Sequence, residues 1–108
     1  MPMKPIYFDY ASTTPADKEV AALMADTMVR CFGNPSSVHS FGREALALVA
    51  KARRQLAELV GARPQEIVYT SGGSESDNLA LKGAAYARRQ RGNHIITTAI
   101  EHHALLHS

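Results

Sequence analysis

The sequence predicts an α/β fold, a mostly parallel sheet with flanking helices, and three observations carry that expectation. Ile67 to Thr70 is a short strand-like run, a helical stretch follows it directly across Gly72-Gly73, and His94-Ile95-Ile96-Thr97-Thr98 is rich in β-branched residues. Strand, helix and strand in that order form a crossover unit with parallel strands, and ligands gather at the C-terminal ends of such strands. The glycine junction lies at one of those ends.

Each element has its own local reason. Ile6-Tyr7-Phe8 reads as a short extended run and Asp9 to Pro15 as a polar loop, with Pro15 suited to a first helical position. Val20, Leu23, Met24, Thr27, Met28 and Cys31 then recur at helical spacing, and Gly33 supplies the stop. Gly33-Asn34-Pro35-Ser36-Ser37 is a turn-rich loop in which Ser37 is a good N-cap for a second helix. That helix carries the stripe Phe41, Ala45, Leu48, Ala52, Leu56 and Leu59 and is closed by Gly61. Arg63-Pro64-Gln65-Glu66 turns the chain into the strand at 67–70. The third helix runs from near Ser74 to about Gln90 and ends at Gly92-Asn93, and helical character resumes from Glu101 to Ser108 after the second strand. Two internal strands make a marginal sheet, while three helices carry apolar faces that need a cover. The expectation is an incomplete domain, the front portion of a larger protein, which in isolation folds poorly or depends on association.

Composition narrows the function classes. A chain of 108 residues with 45% hydrophobic content suits one small soluble domain. Twelve Lys+Arg against ten Asp+Glu leave a charge of +2, too weak to argue for nucleic acid. The basic runs Lys51-Ala52-Arg53-Arg54 and Arg88-Arg89-Gln90-Arg91 lack interleaved aromatics and read as solvated helix faces. No apolar run approaches the roughly 20 residues needed to span a bilayer. The start Met1-Pro2-Met3-Lys4-Pro5 leads into no signal-peptide core, and the single Cys31 has no internal disulfide partner, so a reducing cytoplasm is the expected setting. Cys31 falls on an apolar stripe and reads as a small buried hydrophobe before a nucleophile.

Chemistry concentrates in two places. In Thr70-Ser71-Gly72-Gly73-Ser74-Glu75-Ser76-Asp77-Asn78, the glycines allow close approach of a ligand, and the first N–H groups of the helix have no partners within it. The helix dipole and the hydroxyls of Ser71, Ser74 and Ser76 favour an anion there. The same residues also suit a plain helix cap, with Ser74 as N-cap and Asp77 three residues on. Neither Gly-x-x-x-x-Gly-Lys nor Gly-x-Gly-x-x-Gly is present, which turns a phosphate reading away from mononucleotides and NAD. The second place holds His94, His102, His103 and His107. His103 and His107 share a helical face, but two ligands make a weak metal site, and no metal is expected. An imidazole after the second strand would sit beside the phosphate junction, able to stack on a flat ring and to move protons near neutral pH.

Four blocks along the chain resemble the pyridoxal-phosphate-dependent cysteine desulfurases of the NifS/IscS-like branch. They are Tyr7 to Pro15, Gly33-Asn34-Pro35-Ser36-Ser37-Val38-His39, Thr70 to Ala80, and His94 to His102. The resemblance implies a type I aminotransferase architecture, of which residues 1–15 would be an N-terminal arm near the substrate entrance and 16–108 the first part of the cofactor-binding large domain. It implies that Gly73 and Ser74 contact the phosphate of pyridoxal 5'-phosphate. The family usually shows Ala-Thr at these two positions, and serine keeps the hydroxyl. It implies that His102 stacks on the pyridine ring and serves as acid or base.

The family reaction takes L-cysteine to L-alanine with the cofactor as electron sink. The sulfur leaves on a protein cysteine as a persulfide, bound for a sulfur-acceptor or iron–sulfur scaffold protein. Family members are homodimers. The lysine that anchors the cofactor sits in a Ser-x-His-Lys-type motif absent here, and Lys4, Lys18, Lys51 and Lys82 have no matching context. Cys31 does not match the family's nucleophile either, so the 108-residue chain alone is expected to be inactive. A selenocysteine lyase, another class V aminotransferase-like enzyme and a non-catalytic phosphate-binding module are the alternative readings.

Overall fold

The computed structural model describes residues 4–107. Met1 to Met3 of the expected arm and the last residue of the expected final helix, Ser108, lie outside them. The chain divides into two compact units, Met1–Pro64 and Gln65–Ser108.

In the first unit, α1 spans Lys18–Arg30. Its start lies beyond Pro15, because the Asp17 carboxylate accepts hydrogen bonds from the N–H groups of Glu19 (2.8 Å) and Val20 (3.3 Å) and so defines the cap. Asp26 and Arg30 pair one turn apart near its end. The second helix, α2, spans Ser40–Val60 and is capped by His39, whose Nδ1 accepts from Gly42 N–H at 3.3 Å. The expected cap, Ser37, is used otherwise: its N–H donates to the Asn34 carbonyl (2.9 Å) and closes a turn in which Asn34 Oδ1 also takes the Ser36 N–H. This turn lies so close to α2 that a Cβ on Gly42 would run into the Ser37 carbonyl oxygen and lie 2.8 Å from that of Asn34. The Phe32 and Phe41 rings stack across the same corner, 5.6 Å apart. Gly61 ends α2 in the left-handed region (φ 67°, ψ 29°), and Ala62 N–H reaches back to the Ala57 carbonyl at 2.8 Å.

The second unit contains α3, Gly73–Ala87, and the single turn α4, His103–Leu106. A 3-10 turn over Pro64–Glu66 precedes it, and another over Arg89–Arg91 follows α3, so α3 stops short of Gln90. The final helical stretch is shorter than expected at both ends. Among the described residues there is no strand, and the parallel sheet is not formed: 67–70 and 94–98 carry no regular structure. A strand depends on neighbours to pair its N–H and C=O groups and to bury its faces. Here Val68 is 64% and Ile96 89% exposed. The only hydrophobic side chains buried among the described residues are Ala45 and Ala57, both on α2, and the larger side chains of the apolar stripes, such as Leu23, Met28, Phe41 and Leu59, remain exposed.

Candidate functional site

The glycine junction opens α3. Gly72 is extended (φ 167°, ψ −178°) and stands at the N-cap position without a side chain to cap the helix. Ser74 is therefore the second helical residue and not the cap, which corrects the capping arrangement read from sequence. The first backbone bond of the helix runs from Ser76 N–H to the Gly72 carbonyl at 3.1 Å. The N–H groups of Gly73, Ser74 and Glu75 are thus left at the positively polarised end of the helix. A Cβ on Gly72 or Gly73 would meet no atom within 4 Å, so no packing contact requires a glycine at either position.

Side chains around the junction brace it from within. Glu75 reaches back to Ser71, accepting from its N–H at 2.7 Å and its Oγ at 2.6 Å. These two hydrogen bonds, the hydroxyl's first, hold the Glu75 carboxyl below its ordinary pKa. The hydroxyls of Thr70 and Ser76 lie 2.6 Å apart, and both reach the Gly72 carbonyl at 3.2 Å. Sequence alone did not single out the brace by Glu75, although its spacing from Ser71 is that of one helical turn.

His102 stands at the N-cap of α4, and its Nδ1 accepts from Ala104 N–H at 3.1 Å. That bond requires a bare Nδ1, so the neutral ring carries its proton on Nε2. Asn78 then joins the two predicted halves. Its amide nitrogen donates to the Ser74 carbonyl on its own helix (2.9 Å) and to the Ala104 carbonyl of α4 (3.2 Å), while Lys82 Nζ holds its Oδ1 at 2.7 Å. The first turn of α4 is in this way fixed against the early turns of α3. The run Ser74, Asn78, Lys82 has four-residue spacing and was legible as one helical face; the reach across to Ala104, 26 residues on, has no signal in sequence.

Other candidates fall elsewhere. His103 and His107 stack on each other (centroids 5.3 Å, Nδ1 to Nε2 3.3 Å), and among the described residues no three His, Cys, Asp or Glu side chains converge on a metal position. Cys31 is half-buried at the edge of a hollow with Leu23, Thr27 and Leu48. A cavity of about 660 Å³ in the second unit is lined by Leu81, Ala84, Tyr86, Ile95 and Leu105 among others, and includes none of Gly73, Ser74 or His102. Asp77, Arg88, Arg89, Asn93 and His94 share that lining with the apolar side chains. No helix among the described residues is long and apolar enough to cross a membrane.

Comparison with known proteins gives the family. The chain is 55% identical over 106 residues to a putative cysteine desulfurase IscS 1 of Bacillus subtilis (strain 168), covering 98% of this chain and 28% of that protein. It is 56% identical over 105 residues to a cysteine desulfurase IscS of Azotobacter vinelandii, covering 94% of this chain and 26% of the relative. A cysteine desulfurase IscS of Dictyoglomus turgidum (strain DSM 6724 / Z-1310) is 50% identical over 101 residues, again 94% of this chain and 26% of the relative. The chain thus spans about a quarter of the length of these curated relatives. The sequence profile of the Aminotransferase class-V family matches residues 6–108, so with nearly every residue inside that match the chain belongs to this family of enzymes.

Proposed function

We propose that this chain supplies the phosphate-binding and ring-stacking half of a pyridoxal 5'-phosphate site in a cysteine desulfurase, which converts L-cysteine to L-alanine and passes the sulfur on as a protein persulfide. The observation that carries the reading is that α3, which opens on a glycine turn without a side-chain cap, is hydrogen-bonded through Asn78 to the helix whose cap is His102. The names of the relatives point the same way.

The donors present suit the cofactor's phosphate. Gly73 and Ser74 would hold it through their N–H groups and the Ser74 hydroxyl, at the positively polarised end of α3. When bound, the cofactor supplies an electron sink for bond cleavage at the substrate's α-carbon. The part of His102 is to present a flat, exposed ring for stacking and to hold or give a proton at Nε2, since Nδ1 is committed to Ala104 N–H. Glu75 and Ser71 keep the turn in shape.

On this reading residues 1–15 form an arm, and residues 16–108 begin a large domain of the type I fold, in which 67–70 and 94–98 become parallel strands once paired. The lysine anchor and the persulfide cysteine come from residues outside these 108. The complete enzyme is a cytoplasmic homodimer that delivers sulfur to an acceptor or iron–sulfur scaffold protein.

Titration of the protein with pyridoxal phosphate and with inorganic phosphate tests the reading. Binding of the cofactor should exceed that of phosphate by a ring-dependent margin that His102→Ala removes. Equal binding of the two would point instead to a module that holds phosphorylated ligands without chemistry.

A further inference from the structure

We infer that Asn78 is a positioning residue, which sets the His102 ring over the cofactor by tying the phosphate-binding helix to the helix that His102 caps. The inference rests on the functional reading above and extends it to a residue that touches neither phosphate nor ring. Three observations carry it. The Asn78 amide nitrogen contacts two carbonyl oxygens, Ser74 at 2.9 Å and Ala104 at 3.2 Å, one on each helix. The opposite end of the amide, Oδ1, takes the Lys82 ammonium at 2.7 Å, so the group has one orientation that suits all three partners: its donor end faces acceptors and its acceptor end faces a cation. Ala104, whose carbonyl Asn78 holds, is also the residue whose N–H is capped by His102 Nδ1 at 3.1 Å.

The chain of contacts from Ser74 through Asn78 and Ala104 to His102 therefore links the phosphate donor to the imidazole. α4 is a single turn and cannot hold its own orientation, because so short a helix has little internal stability. Asn78 is half-buried at this contact, where an amide donor facing two carbonyls is favourable and a carboxylate in its place would face them with like partial charge.

The test uses the full-length protein freed of cofactor, with Asn78→Asp, Asn78→Ala, His102→Ala and the double variant Asn78→Ala/His102→Ala. Two quantities are read: dissociation constants for pyridoxal phosphate and inorganic phosphate, and amide hydrogen exchange over residues 103–106. Each Asn78 variant should weaken pyridoxal phosphate by about tenfold, the scale of one hydrogen bond's net contribution, and change phosphate by less than about twofold. Exchange at 103–106 should rise, and the double variant should bind the cofactor no worse than His102→Ala alone, because Asn78 acts through that ring. Equal weakening of both ligands, or additive losses in the double variant, would overturn the inference by making Asn78 a general support of α3. If the cofactor preference survives both Asn78 variants but not His102→Ala, Asn78 alone is misassigned. If the unmodified protein shows no such preference, the functional reading fails instead.

Discussion

Glu75 places a carboxylate at the mouth of a turn proposed to receive a phosphate, and its bonds to Ser71 decide how it behaves. The Ser71 hydroxyl and N–H hold its pKa below the ordinary value, so the contact contributes above the ordinary range of glutamate, about 4.3, and is lost as pH falls through the lowered folded value. The Ser71 amide signal in NMR should accordingly shift on going from about pH 6 to about pH 3, with a midpoint below the ordinary glutamate value, and Glu75→Gln should abolish the titration. A midpoint at or above the ordinary value would contradict the contact. Asp26 is lowered in the same sense by its hydrogen bond with Arg30. The neighbouring Ser74 hydroxyl is proposed to face the ligand, so Ser74→Ala should weaken inorganic phosphate by about threefold to tenfold, and Ser74→Thr should keep the affinity. Isothermal titration distinguishes these outcomes, and unchanged binding by Ser74→Ala would remove the hydroxyl from the site.

Among the elements, α2 offers two glycines with different reasons to be glycine. Gly61 has a positive φ and no neighbour within 4 Å of a Cβ, so Gly61→Ala should cost only the backbone strain, about 1 kcal/mol. At Gly42 a Cβ would strike the Ser37 carbonyl, which forces the Asn34 turn away from α2, so Gly42→Ala should cost more than Gly61→Ala. Chemical denaturation of the full-length variants checks the order, and the reverse order would contradict the packing of that corner. The positions of these helices were legible because apolar spacing of 3.6 residues is a local property; their starts were less so. Pro15, Ser37 and Ser74 are all acceptable first residues, yet Asp17, His39 and Gly72 define the starts, since a cap is decided by where the entering chain lets an acceptor meet the first N–H groups. The β-branched runs at 67–70 and 94–98 were located, but a strand is a property of a pair of segments, and among the described residues neither run forms one.

For the whole molecule, exposed apolar surface is the dominant energetic fact. Leu59, Met28 and Ile100 are 82%, 75% and 92% exposed, and this much unburied hydrocarbon favours association. The 108-residue polypeptide alone should bind a hydrophobic dye, sediment as a mixture of species, lack a sharp thermal transition, and release no alanine from L-cysteine with added cofactor. A monodisperse monomer with a cooperative melt would contradict the first three expectations, and alanine release the fourth. Gly73, Ser74 and His102 are proposed from a resemblance carried by sequence motifs, whereas the Asn78 bridge joins segments 26 residues apart and needed coordinates. The most direct test of the proposed half-site is a crystal structure of the protein with pyridoxal phosphate. Phosphate oxygens are expected within hydrogen-bonding distance of Gly73 N and Ser74 Oγ, with the His102 ring stacked on the pyridine. Phosphate bound elsewhere, or a cofactor ring out of reach of His102, would contradict it.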